Sequence, residues 1–311
     1  MYWQEIAPSH GSDRRCGLLT QFIECMNQPT FFKRISLTSP AFLLLVLGVA
    51  IVAIQMTLIF KTGNSDRQIT SMLFWAVAAY LIWERKEKLK FDTGPIASLL
   101  GAFLLSLLLL KCTGYCEESF LIVYPFIASI ALALIAAGFQ GLKVYWREIL
   151  LLFFAGIPEV LLAKLTDPAP ITAQFASSML WFSGLPIVRK GIFLELPGGS
   201  VQVYSGCSGV VAMTQLLGMS VLFLMLLPLP WKWYQKAILP VAAIAIGFIV
   251  NALRVSLMAI LVAQKQMAAF NYWHDGSGSL VFSVIGTLLL VSLVWLLIQI
   301  FTPEAPVQEE P

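Results

Sequence analysis

Apolar stretches about as long as a lipid bilayer is thick constrain the fold of this chain more than any other feature. A helix needs about 20 consecutive apolar residues to cross the hydrocarbon core. Hydrophobic residues make up 59% of the 311 positions and charged residues 12%, against roughly 25% charged residues in soluble domains. The sequence therefore predicts an all-α integral membrane protein with eight spanning helices, at residues 41–60, 69–83, 95–111, 119–139, 147–165, 208–229, 237–262 and 279–301.

The lysines and arginines in the predicted loops indicate the orientation of the chain. Cytoplasmic loops carry an excess of these residues, and most of them fall on one side if the N-terminus lies inside. That side holds Arg14, Arg15, Lys33, Arg34, Arg85, Lys86, Lys88, Lys90, Lys143, Arg147, Lys232 and Lys236. We therefore predict a multi-pass protein of the cytoplasmic (inner) membrane, with a cytoplasmic segment at 1–40, a membrane domain at 41–301 and a cytoplasmic tail at 302–311.

Residues 166–206 leave the membrane on the predicted outer side. A short helix lying in the membrane interface is predicted there, because four apolar residues share one helical face: Ile171, Phe175, Met179 and Phe182. Alternating residues at Phe193–Leu196 and 201–204 flank a Gly-Gly turn, which predicts a β-hairpin. A hairpin that leads directly into a helix is unusual for a transporter, so we interpret it as a device that holds an extended peptide.

Cys207 follows this hairpin and opens the predicted span at 208–229. The positive end of a helix dipole stabilises a thiolate, and the small neighbours Ser205, Gly206, Ser208 and Gly209 leave room for a substrate backbone. The alternative is a small buried cysteine without a chemical role.

Arg254 lies within a predicted span, about nine residues or roughly 13 Å from its outer end. Charges inside a span are costly and usually serve a function, although a long side chain can also extend to the interface. Asn251 lies on the same helical face one turn away.

His274 stands just before the last span, and it is the single histidine on the predicted outer side because His10 lies inside. By itself it could be an interfacial residue without a chemical role. A thiol, an imidazole and a guanidinium together supply the nucleophile, the acid/base and the oxyanion stabiliser of acyl transfer.

The motifs Gly-Cys-Ser-Gly at 206–209 and Asn-Ala-Leu-Arg at 251–254, with His274 before the last span, resemble the exosortase/archaeosortase family and especially its cyanobacterial branch, the cyanoexosortases. The specific part of the resemblance covers about 150–290. It implies a membrane-embedded cysteine transpeptidase or protease that acts on membrane-anchored proteins with a C-terminal sorting signal of PEP-CTERM type. It also implies a thioacyl intermediate on Cys207, with Arg254 and His274 as the other catalytic residues and no cofactor.

Several weaker features leave their interpretation open. Cys112 and Cys116 share a predicted outer loop and could form a disulfide in an oxidising compartment. Glu159, an acid within a span, could support the site or pair with a neighbouring helix. The spacing of the five cysteines and the presence of two histidines do not predict a metal centre, and nucleic acid is not an expected partner.

Two other functions compete with this interpretation. Residues 206–209 also fit the G-x-S-G pattern of a rhomboid-like intramembrane serine protease, with Ser208 as the nucleophile. A short match is weak, and no early span carries the His or Asn residues that such proteases use. A non-enzymatic transporter or scaffold is less favoured, because the sequence has no inverted repeat and no matching pair of broken helices.

Overall fold

The computed structural model describes residues 40–86, 94–114, 117–274 and 276–301. Three parts of the sequence analysis lie outside the described residues: the predicted cytoplasmic segment before residue 40, the predicted tail at 302–311, and Cys116. The question whether Cys116 forms a disulfide with Cys112 therefore stays open. The described helices are α1 (Pro40–Thr62), α2 (Ser65–Glu84), α3 (Pro95–Cys112), α4 (Glu118–Val144), α5 (Trp146–Phe154), α6 (Ile157–Leu165), α7 (Ala169–Phe182), α8 (Val210–Leu226), α9 (Trp233–Ala263), α10 (Met267–His274) and α11 (Ser279–Phe301).

The chain divides into two compact units. The first ends at Leu47, and its described part is the beginning of α1. The second unit runs from Gly48 onward and contains all the contacts discussed below.

Within the described residues, six segments are long and apolar enough to cross a membrane: α1, α3, α4, Ser205–Leu226, α9 and α11. The prediction of a helical multi-pass membrane protein agrees with this finding. The predicted count of eight spans is not confirmed.

The predicted span at 147–165 is divided into α5 and α6, with nine residues each. At about 1.5 Å per residue each helix is roughly 13 Å long, well short of the roughly 30 Å hydrocarbon core. Pro158 explains the break, because in a continuous helix its ring would clash with the carbonyl group of Phe154, the residue at which α5 ends.

The predicted span at 69–83 corresponds to α2, which starts earlier and is more polar than the six apolar segments. The side chain of Asn64 caps its start by accepting a hydrogen bond of 3.1 Å from the backbone N–H of Arg67. The helix carries Asp66, Arg67 and Glu84, and it is not among the six apolar segments.

An antiparallel sheet of three strands precedes α8: β1 (Val188–Lys190), β2 (Phe193–Leu196) and β3 (Gly199–Gln202), in the order β1-β2-β3. β2 pairs with β3 so that Leu196 lies opposite Gly199. β1 was not predicted from the sequence. Leu194 and Val203 are fully buried and belong to one apolar cluster with Ala173 of α7 and Ala259 of α9, so the sheet is anchored on these two helices.

Helix α7 turns its alanines and Leu180 inward and most of its other large apolar residues outward. Ala169, Ala173 and Ala176 are buried, and α7 packs against α9 on this side. Of the predicted interfacial face, Ile171, Phe175 and Phe182 are exposed, and Met179 is half-buried. The packing of α7 on α9 brings Thr172, which is also buried, next to the start of α8.

The start of α8 lies unusually close to the middle of α9. A Cβ atom at Gly247 would lie 2.8 Å from the carbonyl oxygen of Ala212 and 2.8 Å from the Cα of Met213. Glycine is therefore required at this position for the two backbones to approach. One turn further along α9 stands Asn251, which this approach brings beneath the turn that carries Cys207.

Ion pairs connect α2, α4 and α6. The guanidinium of Arg67 donates to both carboxylate oxygens of Glu159, at 2.8 and 3.3 Å, and lies 3.5 Å from Glu118. Both Arg67 and Glu159 are 14% exposed in their side chains. The structure therefore places Glu159 in an inter-helix ion pair, the second of the two alternatives left open by the sequence.

We predict that Arg67→Met destabilises the protein by about 3 kcal/mol, because it leaves a largely buried carboxylate without its cation. Thermal unfolding in detergent measures the change. The matched control is Arg189→Met, since Arg189 lies on the exposed strand β1, and within the described residues its side chain bonds to the nearby carbonyl group of Gly191 and to no carboxylate. Restoration of much of the loss in Arg67→Met/Glu159→Gln is expected, and equal unfolding midpoints in wild type and Arg67→Met would contradict the prediction.

Candidate active site

Cys207 lies in a 3-10 turn (Ser205–Cys207) just before α8 rather than in the helix itself. Its backbone N–H donates to the carbonyl of Tyr204 at 2.9 Å. The α-helix begins only at Val210, because Gly209 has φ +95° and ψ 0°, a left-handed conformation that favours glycine. The predicted start of the helix at 208 is therefore two residues too early, but Cys207 still lies near the helix N-terminus, three positions before the first α-helical residue.

His274, the last residue of α10, comes close to the cysteine. Its Nε2 atom is 3.6 Å from Sγ of Cys207, within hydrogen-bonding reach of a sulfur atom. The imidazole is stacked on the ring of Phe270, with centroids 5.1 Å apart and an angle of 11° between the planes. Both Cys207 and His274 are half-buried. This is the arrangement in which an imidazole can take the proton of a thiol.

The side chain of Arg254, on α9, contacts the main chain of His274. Its Nη2 donates to the carbonyl oxygen of His274 at 2.6 Å, and the side chain is half-buried. Because the guanidinium of Arg254 bonds to α10 within the protein, the structure does not favour the alternative in which this side chain merely extends to the membrane interface. Among the described residues, the cations that form ion pairs are Arg67, Arg85 and Lys190. Within that part of the chain, Arg254 therefore has no carboxylate partner.

A cavity of about 600 Å³ adjoins these residues. Gly206, Gly209, Asn251, Arg254 and His274 line one part of it. Such a volume is typical of sites that bind small molecules or short segments of a larger substrate. The cavity therefore offers space for a substrate group next to the histidine and the arginine, and beside the turn that carries Cys207.

Asn251 and Ser208 contact the turn rather than one another. Nδ2 of Asn251 donates to the carbonyl oxygen of Cys207 at 2.9 Å. The side chain of Ser208 donates to the carbonyl of Ser205 at 2.6 Å, and the residue is 0% exposed. A fully buried hydroxyl cannot reach a substrate carbonyl, so the structure does not favour the rhomboid-like alternative.

Sequence reasoning missed two kinds of contact near the site. Phe270 could have been found, because it precedes His274 by four residues, the spacing of neighbours on one helical face. The bond from Thr172 to the carbonyl of Ser208 has no sequence signal, since it joins residues 36 positions apart. Among the described residues, no group of three or more His, Cys, Asp or Glu side chains could hold a metal ion.

A sequence profile described as transmembrane exosortase matches residues 62–291, a range that contains Cys207, Arg254 and His274. The chain belongs to the transmembrane exosortase family. Membership confirms the family predicted from the sequence and suggests a membrane-embedded sorting protease or transpeptidase. No curated protein and no solved structure matches the chain.

We predict that a maleimide labels Cys207 in the folded protein, whereas a serine-directed fluorophosphonate does not label Ser208. The physical reason is the difference in exposure between a half-buried thiol and a fully buried hydroxyl. Mass spectrometry of the labelled protein measures both modifications, with Cys207→Ala as the control for maleimide specificity. Labelling of Ser208 by the fluorophosphonate would contradict the prediction and would favour the serine-protease alternative.

Proposed function

We propose that this chain is a membrane-embedded cysteine transpeptidase or protease that cleaves the C-terminal sorting signal of exported proteins through a thioacyl intermediate. The signal would be of PEP-CTERM type, and the chain would belong to the cyanobacterial branch of its family. Cys207 would be the nucleophile, His274 the general acid/base and Arg254 the oxyanion stabiliser.

The observation that carries the proposal is the distance of 3.6 Å between Sγ of Cys207 and Nε2 of His274. The two residues are 67 positions apart in the sequence, and their side chains meet beside a cavity that is lined by His274 and Arg254. A nucleophile with a base in reach is the minimum requirement for covalent acyl transfer. Membership in the exosortase family supports the same reaction class independently.

In the first half of the reaction, Nε2 of His274 accepts the thiol proton and the thiolate attacks the scissile carbonyl carbon. A C–S bond forms, and the carbonyl oxygen becomes an oxyanion beside the guanidinium of Arg254. A guanidinium has five N–H donors, and the bond to the His274 carbonyl uses Nη2. The other donors can therefore stabilise the oxyanion.

The intermediate then collapses by breaking the C–N bond. The imidazolium of His274 gives its proton to the leaving amine, and a thioacyl group remains on Cys207. An amine acceptor or water next attacks the thioacyl carbon and gives a proton to His274. The C–S bond breaks, and the thiolate recovers a proton from the imidazolium.

The surroundings of the site suit a substrate held by its own transmembrane helix. Such a substrate shares the membrane with the enzyme, which reduces the entropic cost of bringing the two together. The sheet before Cys207 would align the extended motif, and α7 would lie in the interface.

We place this region on the outer face of the cytoplasmic membrane, with both termini inside. A membrane-impermeant maleimide tests this orientation by labelling Cys207 in intact cells.

We predict that Cys207→Ala and Cys207→Ser abolish processing, because neither side chain provides a thiolate. The measurement is the shortening of a co-expressed protein with a C-terminal sorting signal, followed by electrophoresis. Protein level and membrane insertion should stay at wild-type values, and Cys112→Ala, which replaces a cysteine on α3, is the matched control. Full processing in Cys207→Ala would refute the cysteine mechanism.

We predict that Arg254→Lys loses most of its activity although the charge is kept. Lysine is a point charge on a flexible stem, whereas arginine has a planar array of fixed donors. The loss of one preorganised oxyanion contact costs about 100- to 1,000-fold in rate. The measurement is the processing rate per folded enzyme in Arg254→Lys and Arg254→Gln. Near-normal turnover in Arg254→Lys, with a reduced protein level in Arg254→Gln, would instead indicate a structural anchor.

A further inference from the structure

The turn that carries Cys207 contains backbone carbonyl groups that form no hydrogen bond within the following helix. Because Gly209 is left-handed, α8 starts at Val210, and the carbonyl of Gly209 is the first to accept a hydrogen bond of helical type, from the N–H of Met213 at 2.9 Å. The carbonyl groups of Cys207 and Ser208 precede this point. Buried carbonyl groups need other donors when the helix does not supply them.

Asn251 supplies the donor for the first of these carbonyl groups. Its Nδ2 lies 2.9 Å from the oxygen of Cys207, and the residue is 5% exposed. The contact is tight, because a Cβ atom at Gly209 would lie 2.9 Å from Nδ2 of Asn251. The turn can therefore rest on α9 only with a glycine at 209.

Thr172 supplies the donor for the second carbonyl group. Its Oγ1 donates to the oxygen of Ser208 at 2.7 Å, and the residue is 0% exposed. A side chain without solvent exposure cannot touch a substrate in the cavity. Any effect of Thr172 on the reaction must therefore act through the turn.

We propose that Thr172 and Asn251 are positioning residues that hold the nucleophile turn from two different helices. They fix consecutive carbonyl groups, those of Ser208 and Cys207, and so keep Sγ of Cys207 within reach of Nε2 of His274. This inference rests on the proposed function, because it concerns the placement of the proposed nucleophile. It adds α7 to the elements that determine the geometry of the site.

The test compares Thr172→Val, which keeps the shape but lacks the hydroxyl, with Thr172→Ser, which keeps the hydroxyl. A misplacement of about 1 Å can reduce a rate about 100-fold, so Thr172→Val should lower kcat by about 10- to 100-fold with little change in KM. Thr172→Ser should restore most of kcat. Asn251→Leu, which removes the other donor, should lower kcat in the same range.

The matched control is Thr214→Val. Thr214 is equally buried, at 4% exposure, but its hydroxyl donates to the carbonyl of Val210 within its own helix at 2.8 Å. Its kcat per folded enzyme should stay within about twofold of wild type, since a bond within one helix contributes little to the position of another segment. Equal losses in Thr172→Val and Thr214→Val would overturn the proposal.

A second measurement separates the failure of this inference from the failure of the proposed function. The alkylation rate of Cys207 by iodoacetamide depends on the environment of the thiol and requires no substrate. We expect it to fall several-fold in Thr172→Val but not in Thr172→Ser, even if the natural substrate is wrongly assigned. Wild-type kcat and alkylation in Thr172→Val would overturn the positioning role. If Thr172→Val and Thr172→Ala both fail to fold, Thr172 is a folding residue and the inference is also overturned.

Discussion

Helix α9 determines the separation of the two reactive side chains through hydrogen bonds to main-chain carbonyl groups. Asn251 donates to the carbonyl of Cys207 at 2.9 Å and Arg254 to that of His274 at 2.6 Å. Residues three positions apart lie on the same face of a helix, so a single rigid element contacts the segments on both sides of the cavity. The distance of 3.6 Å between sulfur and imidazole thus depends on backbone contacts that leave both reactive atoms available for chemistry.

Arg67 and Arg254 differ in their charged neighbours, and this difference indicates different roles for the two side chains. Arg67 lies against the carboxylates of Glu159 and Glu118, so its charge is neutralised within the structure. Arg254 bonds to a neutral carbonyl group, and no ion pair of the described residues includes it. A cation that has no carboxylate partner among the described residues favours an anion that forms beside it. This difference supports an electrostatic role for Arg254 and a structural one for Arg67.

The sequence was sufficient for the features that depend on composition and local pattern. Long apolar runs predicted a helical multi-pass membrane protein, with which the six apolar segments agree, and the motifs around Cys207, Arg254 and His274 predicted the family, which the profile match confirms. The roles of these three residues in acyl transfer stay a prediction. The break at Pro158 could have been anticipated from its missing N–H, but the apolar run masked it. The contact of Thr172 with Ser208 could not be predicted, because it depends on how α7 packs against α9. The left-handed turn at Gly209 also shifted the start of α8 in a way that hydropathy cannot register.

The turn at 205–209, which precedes the first α-helical residue, explains why the site requires supporting hydrogen-bond donors from other helices. Moving a backbone carbonyl group from water into hydrocarbon without a hydrogen-bond partner costs several kcal/mol, about 4–8 kcal/mol for transfer to cyclohexane. A turn that presents a thiol at the edge of a membrane bundle must therefore bond its carbonyl groups to side chains from elsewhere. Thr172 and Asn251 meet that need from α7 and α9, and the same bonds restrict the movement of Cys207. If Cys207 is the nucleophile, as we propose, the two side chains that satisfy the backbone are also the ones that fix its position.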